Sequence, residues 1–202
     1  MPGTEKPIDV SALRSLRAHG KVRIGLLKMS NIKASNVRLD IRAAGGQVDV
    51  STLSANLYEG AMNGAISVNA AGAAPRFAIR QNLSEVSIGP LLKDVANKDA
   101  LEGKGTVNID VNTQGATVGA LKRALAGNAA VALRDGAVKG IDIAGTIRDA
   151  RARLGTLKGQ QTQPSDKNRK TDFSELNATF AIQNGIARNN DLSLKSPLLR
   201  VN

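Results

Sequence analysis

The chain has 202 residues, of which 42% are hydrophobic, 2% aromatic and 22% charged, with a net charge of +11. It has no cysteine, which excludes disulfides, thiolate metal sites and cysteine nucleophiles, and a single histidine, which excludes a multi-histidine metal site within one chain. The excess of lysine and arginine favours polyanionic surroundings: nucleic acid, acidic polysaccharide or anionic lipid headgroups.

Residues 1–20 hold no apolar stretch of the kind a signal peptide needs. After them the chain reads mainly in period two. Val22, Ile24 and Leu26 alternate with Arg23 and Gly25. Val37, Leu39, Ile41 and Ala43 alternate with Asn36, Arg38, Asp40 and Arg42, the grammar of a half-buried strand with one apolar and one polar face. Gly45-Gly46 then marks a tight turn into a strand carrying Val48 and Val50. Met62, Gly64, Ile66, Val68 and Ala70 form one face of the next run, followed by Phe77 and Ile79 between Arg76, Ala78 and Arg80. Residues 87–97 read as a helix, with Pro90 in the first turn and Leu91, Leu92 and Val95 as its apolar side.

Alternation resumes with Val107, Ile109 and Val111. Thr117 is a candidate N-cap for a helix over 117–126, with Val118, Leu121 and Leu125 at helical spacing. Ala129, Val131 and Leu133 predict another strand, and Asp135-Gly136 predicts a hairpin turn into 137–139. A third helix is expected over 141–154, with Ile143, Ile147, Ala150 and Leu154 on one side. Residues 155–171 are polar and rich in breakers, and predict a long mobile loop. Leu176, Ala178, Phe180 and Ile182 form the last clear strand, with Asn184-Gly185 as its turn into 186–188. The chain stops at Leu198-Leu199-Arg200-Val201-Asn202, which reads as the start of a further strand. The longest apolar run is 129–133, against roughly 20 residues for a membrane helix. The expectation is one domain over 1–202, a piece of a longer anchored protein. Its fold class is mainly β with a few helices (α+β): a twisted, partly curled antiparallel sheet built from hairpins, with two or three short helices over one face or opening.

Catalytic signals are weak. His19 lies in a basic, polar stretch and no Gly-x-Ser-x-Gly elbow occurs, so a solvated surface histidine is the simpler reading. Gly103-Lys104-Gly105-Thr106 lacks the phosphate-loop spacing and precedes a strand, not a helix. The acids Asp40, Asp49, Asp110, Asp135, Asp142 and Glu175 are scattered over polar faces, turns and helix starts, with no Trp platform for a sugar. No catalytic residue, metal ligand or cofactor is assigned.

The cations are more clustered. Arg14, Arg17, Lys21, Arg23, Lys28, Lys33, Arg38 and Arg42 occur with Asp40 as the sole acid between them. Single-strand nucleic-acid readers interleave cations with aromatics, and Tyr58, Phe77, Phe173 and Phe180 are the only aromatics in the chain, so nucleic acid is disfavoured as a partner. Headgroups of an anionic membrane surface fit the same cations. The apolar sheet face has two readings: an ordinary core under the helices, or a groove open to acyl chains, which would transfer into it at about 0.8 kcal/mol per methylene. The candidate lining is Ile24, Val37, Leu39, Ile41, Ile66, Val68, Phe77, Ile79, Val107, Ile109, Val111, Phe180 and Ile182, and the candidate headgroup contacts are Arg23, Arg38 and Arg42.

Several stretches together resemble one family. They are Ile8-Asp9-Val10-Ser11-Ala12-Leu13-Arg14-Ser15-Leu16 with Gly20-Lys21-Val22-Arg23-Ile24; Leu53-Ser54-Ala55-Asn56-Leu57-Tyr58-Glu59-Gly60; and Gln81-Asn82-Leu83 with Ile88-Gly89-Pro90-Leu91-Leu92-Lys93-Asp94. Leu101-Glu102-Gly103-Lys104-Gly105, then 133–143, Thr171-Asp172-Phe173-Ser174-Glu175-Leu176 and Leu194-Lys195-Ser196-Pro197-Leu198-Leu199 continue the pattern. In order and spacing they resemble the carboxy-terminal region of AsmA-family proteins. The resemblance implies a Gram-negative envelope protein anchored by one amino-terminal helix in the inner membrane, with its bulk in the periplasm. It also implies kinship with TamB and likeness to bridge-like lipid-transfer proteins, a link to outer-membrane integrity and phospholipid movement, and no catalytic motif. The expected partners are phospholipid or an anionic membrane surface. The competing expectation is a structural module whose sheet edge docks an envelope protein by strand addition.

Overall fold

The computed structural model describes residues 5–140 and 170–196. In chain order the elements are α1 (Ser11–Ser15), β1 (Ala18–Met29), β2 (Ile32–Ala44), β3 (Gln47–Leu57), β4 (Gly60–Asn69), β5 (Arg76–Ser87), α2 (Ile88–Ala96), β6 (Leu101–Gln114), α3 (Val118–Ala124), β7 (Ala126–Lys139), β8 (Lys170–Gln183), β9 (Ile186–Arg188) and β10 (Ser193–Lys195). The strands form one ten-stranded antiparallel sheet in sequence order from β1 to β8, with β9 and β10 both pairing β8. It is neither closed nor strongly curled: β1 is an edge at one side, and two short strands finish the other.

The tight turns follow backbone chemistry. Gly45 and Gly46, and Asn184 and Gly185, all take positive φ, as two-residue hairpin turns require. Tyr58 and Glu59 make the same kind of turn between β3 and β4, with φ of 50° and 65°. Neither residue type favours that conformation. The turn is held from outside: the Tyr58 carbonyl accepts from the Ser87 N–H at 2.8 Å, and the Tyr58 hydroxyl donates to Asp94 at 3.0 Å.

One expectation is corrected. Asp135-Gly136 is not a hairpin turn but a bulge within the continuous strand β7. Asp135 has φ 50°, and the register against β6 slips between Glu102 and Lys104. Residues 137–139 do not fold back on 126–134; they continue outward, pairing with β8 as Ala137 with Asp172 and Val138 with Thr171. A positive-φ dipeptide serves a bulge as readily as a turn. Similar kinks stand at Asn36 in β2 and Glu85 in β5, both at positive φ beside register shifts.

The helices expected at 87–97 and 117–126 form as α2 and α3. Thr117 caps α3, its hydroxyl oxygen accepting from the Ala120 N–H at 3.1 Å. α2 ends on Asn97 in the left-handed region, whose N–H returns to the Lys93 carbonyl. The helix expected at 141–154 lies outside the described residues, as do residues 155–169 of the expected loop and 198–202. Lys170 and Thr171, placed in that loop by the sequence pattern, instead open β8.

The core sits toward the α2 end of the sheet. Its buried members are Ala34, Val37, Ala55, Leu57, Leu83, Val86, Ile88, Val107, Leu133, Phe173 and Leu176, with Leu91 and Leu92 of α2 packed against them. At the opposite end the amino-terminal segment and α3 tie together. Ile8 N–H donates to the Ala116 carbonyl, and Glu5 accepts from the Thr117 hydroxyl and the Gly119 N–H. Those hydrogen bonds hold the Glu5 carboxyl below its ordinary range.

Candidate functional site: the apolar face of the sheet

The cross-strand register brings the candidate lining residues onto one face. Ile24 of β1 pairs with Val37 of β2. One row runs Ile41, Val50, Ile66, Ile79, Val111, Gly127 and Ile182, through direct pairings from β2 to β8. At about 4.8 Å per strand it crosses roughly 29 Å. Beside it, Val68 pairs with Phe77. On the other side Ile109 pairs with Ala129, which pairs with Phe180, and Val107 pairs with Leu83. Leu39 pairs with Leu53.

Burial divides these side chains into two groups. Val37 and Val107 belong to the core cluster, and Ile24, Leu39 and Ile109 pack against it. Ile41, Ile66, Val68, Phe77, Ile79, Phe180 and Ile182 stand outside that cluster and are half-buried, while Val111 is 9% exposed. The first group is bound up with α2 and the stability of the fold. The second forms an apolar strip farther along the sheet, interrupted at β7 by Gly127.

A polar residue interrupts the face. Gln81 stands between Gly64 and Ile109 in the row that includes Ala129 and Phe180. Its amide nitrogen and oxygen are both buried without a hydrogen-bond partner. Gly64 makes room for it: a Cβ there would strike both the Gln81 amide and the Arg80 carbonyl. Alternation could not find this residue, because a glutamine ends the apolar pattern at Ile79.

Arg23, Arg38 and Arg42 lie on the reverse face, one residue out of phase with Ile24, Leu39 and Ile41. They are exposed, and Arg23 pairs directly with Arg38. So the structure does not bring them together with the apolar lining; the sheet itself stands between. Elsewhere on the reverse face, side chains of neighbouring strands bind one another. Arg80 pairs with Asp110 at 3.2 Å, Asn82 donates to Asn108, and Asp49 accepts from Gln47 and Ser67. A shallow trough of about 530 Å³ over the middle of the sheet has Asn63, Arg80, Asn82, Asn108 and Asp110 in its lining together with Gln81, Ile109 and Phe180.

Titratable groups are engaged in holding the fold. Hydrogen bonding to Arg134 keeps Glu85 below the usual carboxylate range, and Lys139 does the same for Asp99. Burial, followed by the bond to Asp94, pushes the Tyr58 phenol up to about 12. Among the described residues, no group of three or more His, Asp or Glu could hold a metal ion, and no helix is long and apolar enough to cross a membrane.

Comparison with known proteins returns one finding. The model of the AsmA family matches residues 4–192. No curated protein and no solved structure matches the chain.

Proposed function

This chain belongs to the AsmA family, whose members are envelope proteins and generally non-catalytic, and we propose that it binds phospholipid acyl chains on the apolar face of its sheet. The observation that carries the reading is the strip of Ile41, Ile66, Val68, Phe77, Ile79, Phe180 and Ile182. Its members lie on one face of β2, β4, β5 and β8, half-buried and outside the core cluster. Burying an acyl chain there is favoured by about 0.8 kcal/mol per methylene, with no need for a directional contact. In this reading the chain acts in the periplasm, as part of a protein anchored in the inner membrane of a Gram-negative cell. It supports outer-membrane integrity by moving phospholipid.

The division of the lining gives the test. Ile66→Asp places a charge on the strip away from the core, so uptake of a fluorescent phospholipid from vesicles is lost while circular dichroism and Tm stay close to the parent. Ile109→Asp places the same charge against the core and lowers Tm sharply. Undiminished lipid uptake by folded Ile66→Asp protein overturns the proposal.

A second reading keeps a specific observation of its own. The outer edge of β1, twelve residues long, has no partner strand among the described residues. Such an edge can take a strand from an envelope protein. A proline at Val22 would then abolish capture of that protein and leave lipid uptake intact.

A further inference from the structure

We propose that the polar face of the β1–β2 hairpin is a docking surface for an anionic lipid bilayer. It is separate from the acyl-chain strip, which lies on the other side of the sheet, and stands or falls independently of it. The observation is a set of like charges placed directly opposite one another. The register pairs Arg23 with Arg38 and Lys28 with Lys33. Directly opposed like charges destabilise an antiparallel pair. Asp40, opposite Lys21, is the only acid in these two strands. None of the six lysines and arginines is ion-paired among the described residues.

Edge protection does not explain the pattern. Charges on an edge strand discourage aggregation, which accounts for Lys21, Arg23 and Lys28 of β1. Lys33, Arg38 and Arg42 sit one strand in, covered by β1 on that side. There a carboxylate opposite each β1 cation would have served stability better. The side-by-side pairs Arg23 with Arg38 and Lys28 with Lys33, with no acid opposite any of the four in the other strand, instead meet a flat array of phosphates.

The hairpin end favours a bilayer over nucleic acid. Leu26 is 74% exposed and Met29 65%, next to Lys28 and Lys33. Apolar side chains flanked by lysines suit the boundary between headgroups and acyl chains. Neither strand holds a Phe, Tyr or Trp on which a base could stack.

The test is flotation of the whole chain with vesicles of phosphatidylethanolamine and phosphatidylglycerol, against vesicles of phosphatidylcholine, at low and high salt. Binding is expected only to the first, fading as salt rises. Each cation close to an anionic surface contributes roughly a fivefold factor, so Arg23→Gln with Arg38→Gln lowers affinity about twenty- to thirtyfold. These neutral changes relieve repulsion, so the fold is retained. Lys93→Gln with Arg188→Gln removes the same net charge elsewhere and changes affinity less than about twofold. Leu26→Ser with Met29→Ser weakens binding to vesicles without altering retention on heparin. Equal losses from the two arginine-bearing pairs of variants, equal binding to phosphatidylcholine, or tighter binding to duplex DNA than to the anionic vesicles at the same salt would each overturn the proposal.

Discussion

The two sides of the sheet settle their charges differently. From β5 to β10, opposite charges meet across strands: Arg80 with Asp110, Glu85 with Arg134, Lys139 with Glu102, and Lys195 with Glu175; Lys139 also meets Asp99 in the connection before β6. In the β1–β2 hairpin, cation faces cation. The edge strand β1 also differs from the strands of the core in burial. Leu133, Phe173 and Leu176 of β7 and β8 are buried in the core, while Val22, Leu26 and Met29 of β1 are exposed. The strands of both regions obey the same alternation and the same antiparallel pairing. The difference therefore lies in what each region has left to bind: the β5–β10 side pairs cations with its own acids, and the hairpin keeps cations and apolar tips for something outside the sheet.

The largest expected effect falls on the β5–β10 side. Phe173→Ala empties a site that is 2% exposed and should cost about 3–5 kcal/mol, read by denaturant unfolding. Met29→Ala, equally a loss of a large apolar side chain, should change stability by less than about 0.5 kcal/mol. A comparable loss at both positions would break the comparison. Next is Gly64→Ala. Its Cβ would meet the Arg80 carbonyl and the Gln81 amide, so the central strands must shift, at a cost of about 1–3 kcal/mol. Gln81→Leu works in the opposite direction. It removes two buried, unpartnered polar atoms and should raise stability by about 1–2 kcal/mol in the lipid-free protein. Tyr58→Phe removes the bond to Asp94 that helps hold α2, for about 1 kcal/mol.

The smallest effects are those of pH. The phenol of Tyr58 is raised in the folded protein to about 12. Its contribution is therefore fully present below its unfolded value near 10 and is lost as pH rises from there through 12. Glu5, Glu85, Asp99 and Asp191 are lowered by their hydrogen bonds. Their contribution is present above the unfolded carboxylate values and is lost as pH falls through the folded ones. Thermal melts across pH should thus decline at both extremes, with the acid-side loss spread over β5–β10 and the amino-terminal tie rather than the β1–β2 hairpin. A hairpin that melts first in acid, followed by hydrogen exchange, would contradict that assignment.

Alternation made most of the sheet legible. Val37, Leu39 and Ile41 read as one face in the sequence and lie on one face in the structure. Glycine dipeptides marked the turns at Gly45-Gly46 and Asn184-Gly185 because positive φ is nearly free for glycine. The turn at Tyr58-Glu59 left no such mark, since its conformation is imposed by Ser87 and Asp94, far along the chain. Asp135-Gly136 misled for the converse reason: local chemistry licensed positive φ, and long-range pairing with β8 decided that the strand would go on. The site divides likewise. That Ile66 and Ile109 share a face follows from period two, but that Ile109 packs against the core and Ile66 does not depends on where α2 lies. Likewise the cations of the hairpin were visible as a cluster, whereas the opposition of Arg23 to Arg38 needed the register.

The most direct measurement is native mass spectrometry of the purified chain after incubation with phospholipid vesicles, followed by organic extraction and lipid analysis. The account predicts phospholipid retained in stoichiometric amount by the parent, and its loss from a folded Ile66→Asp variant. A folded parent that leaves the vesicles without lipid would contradict it.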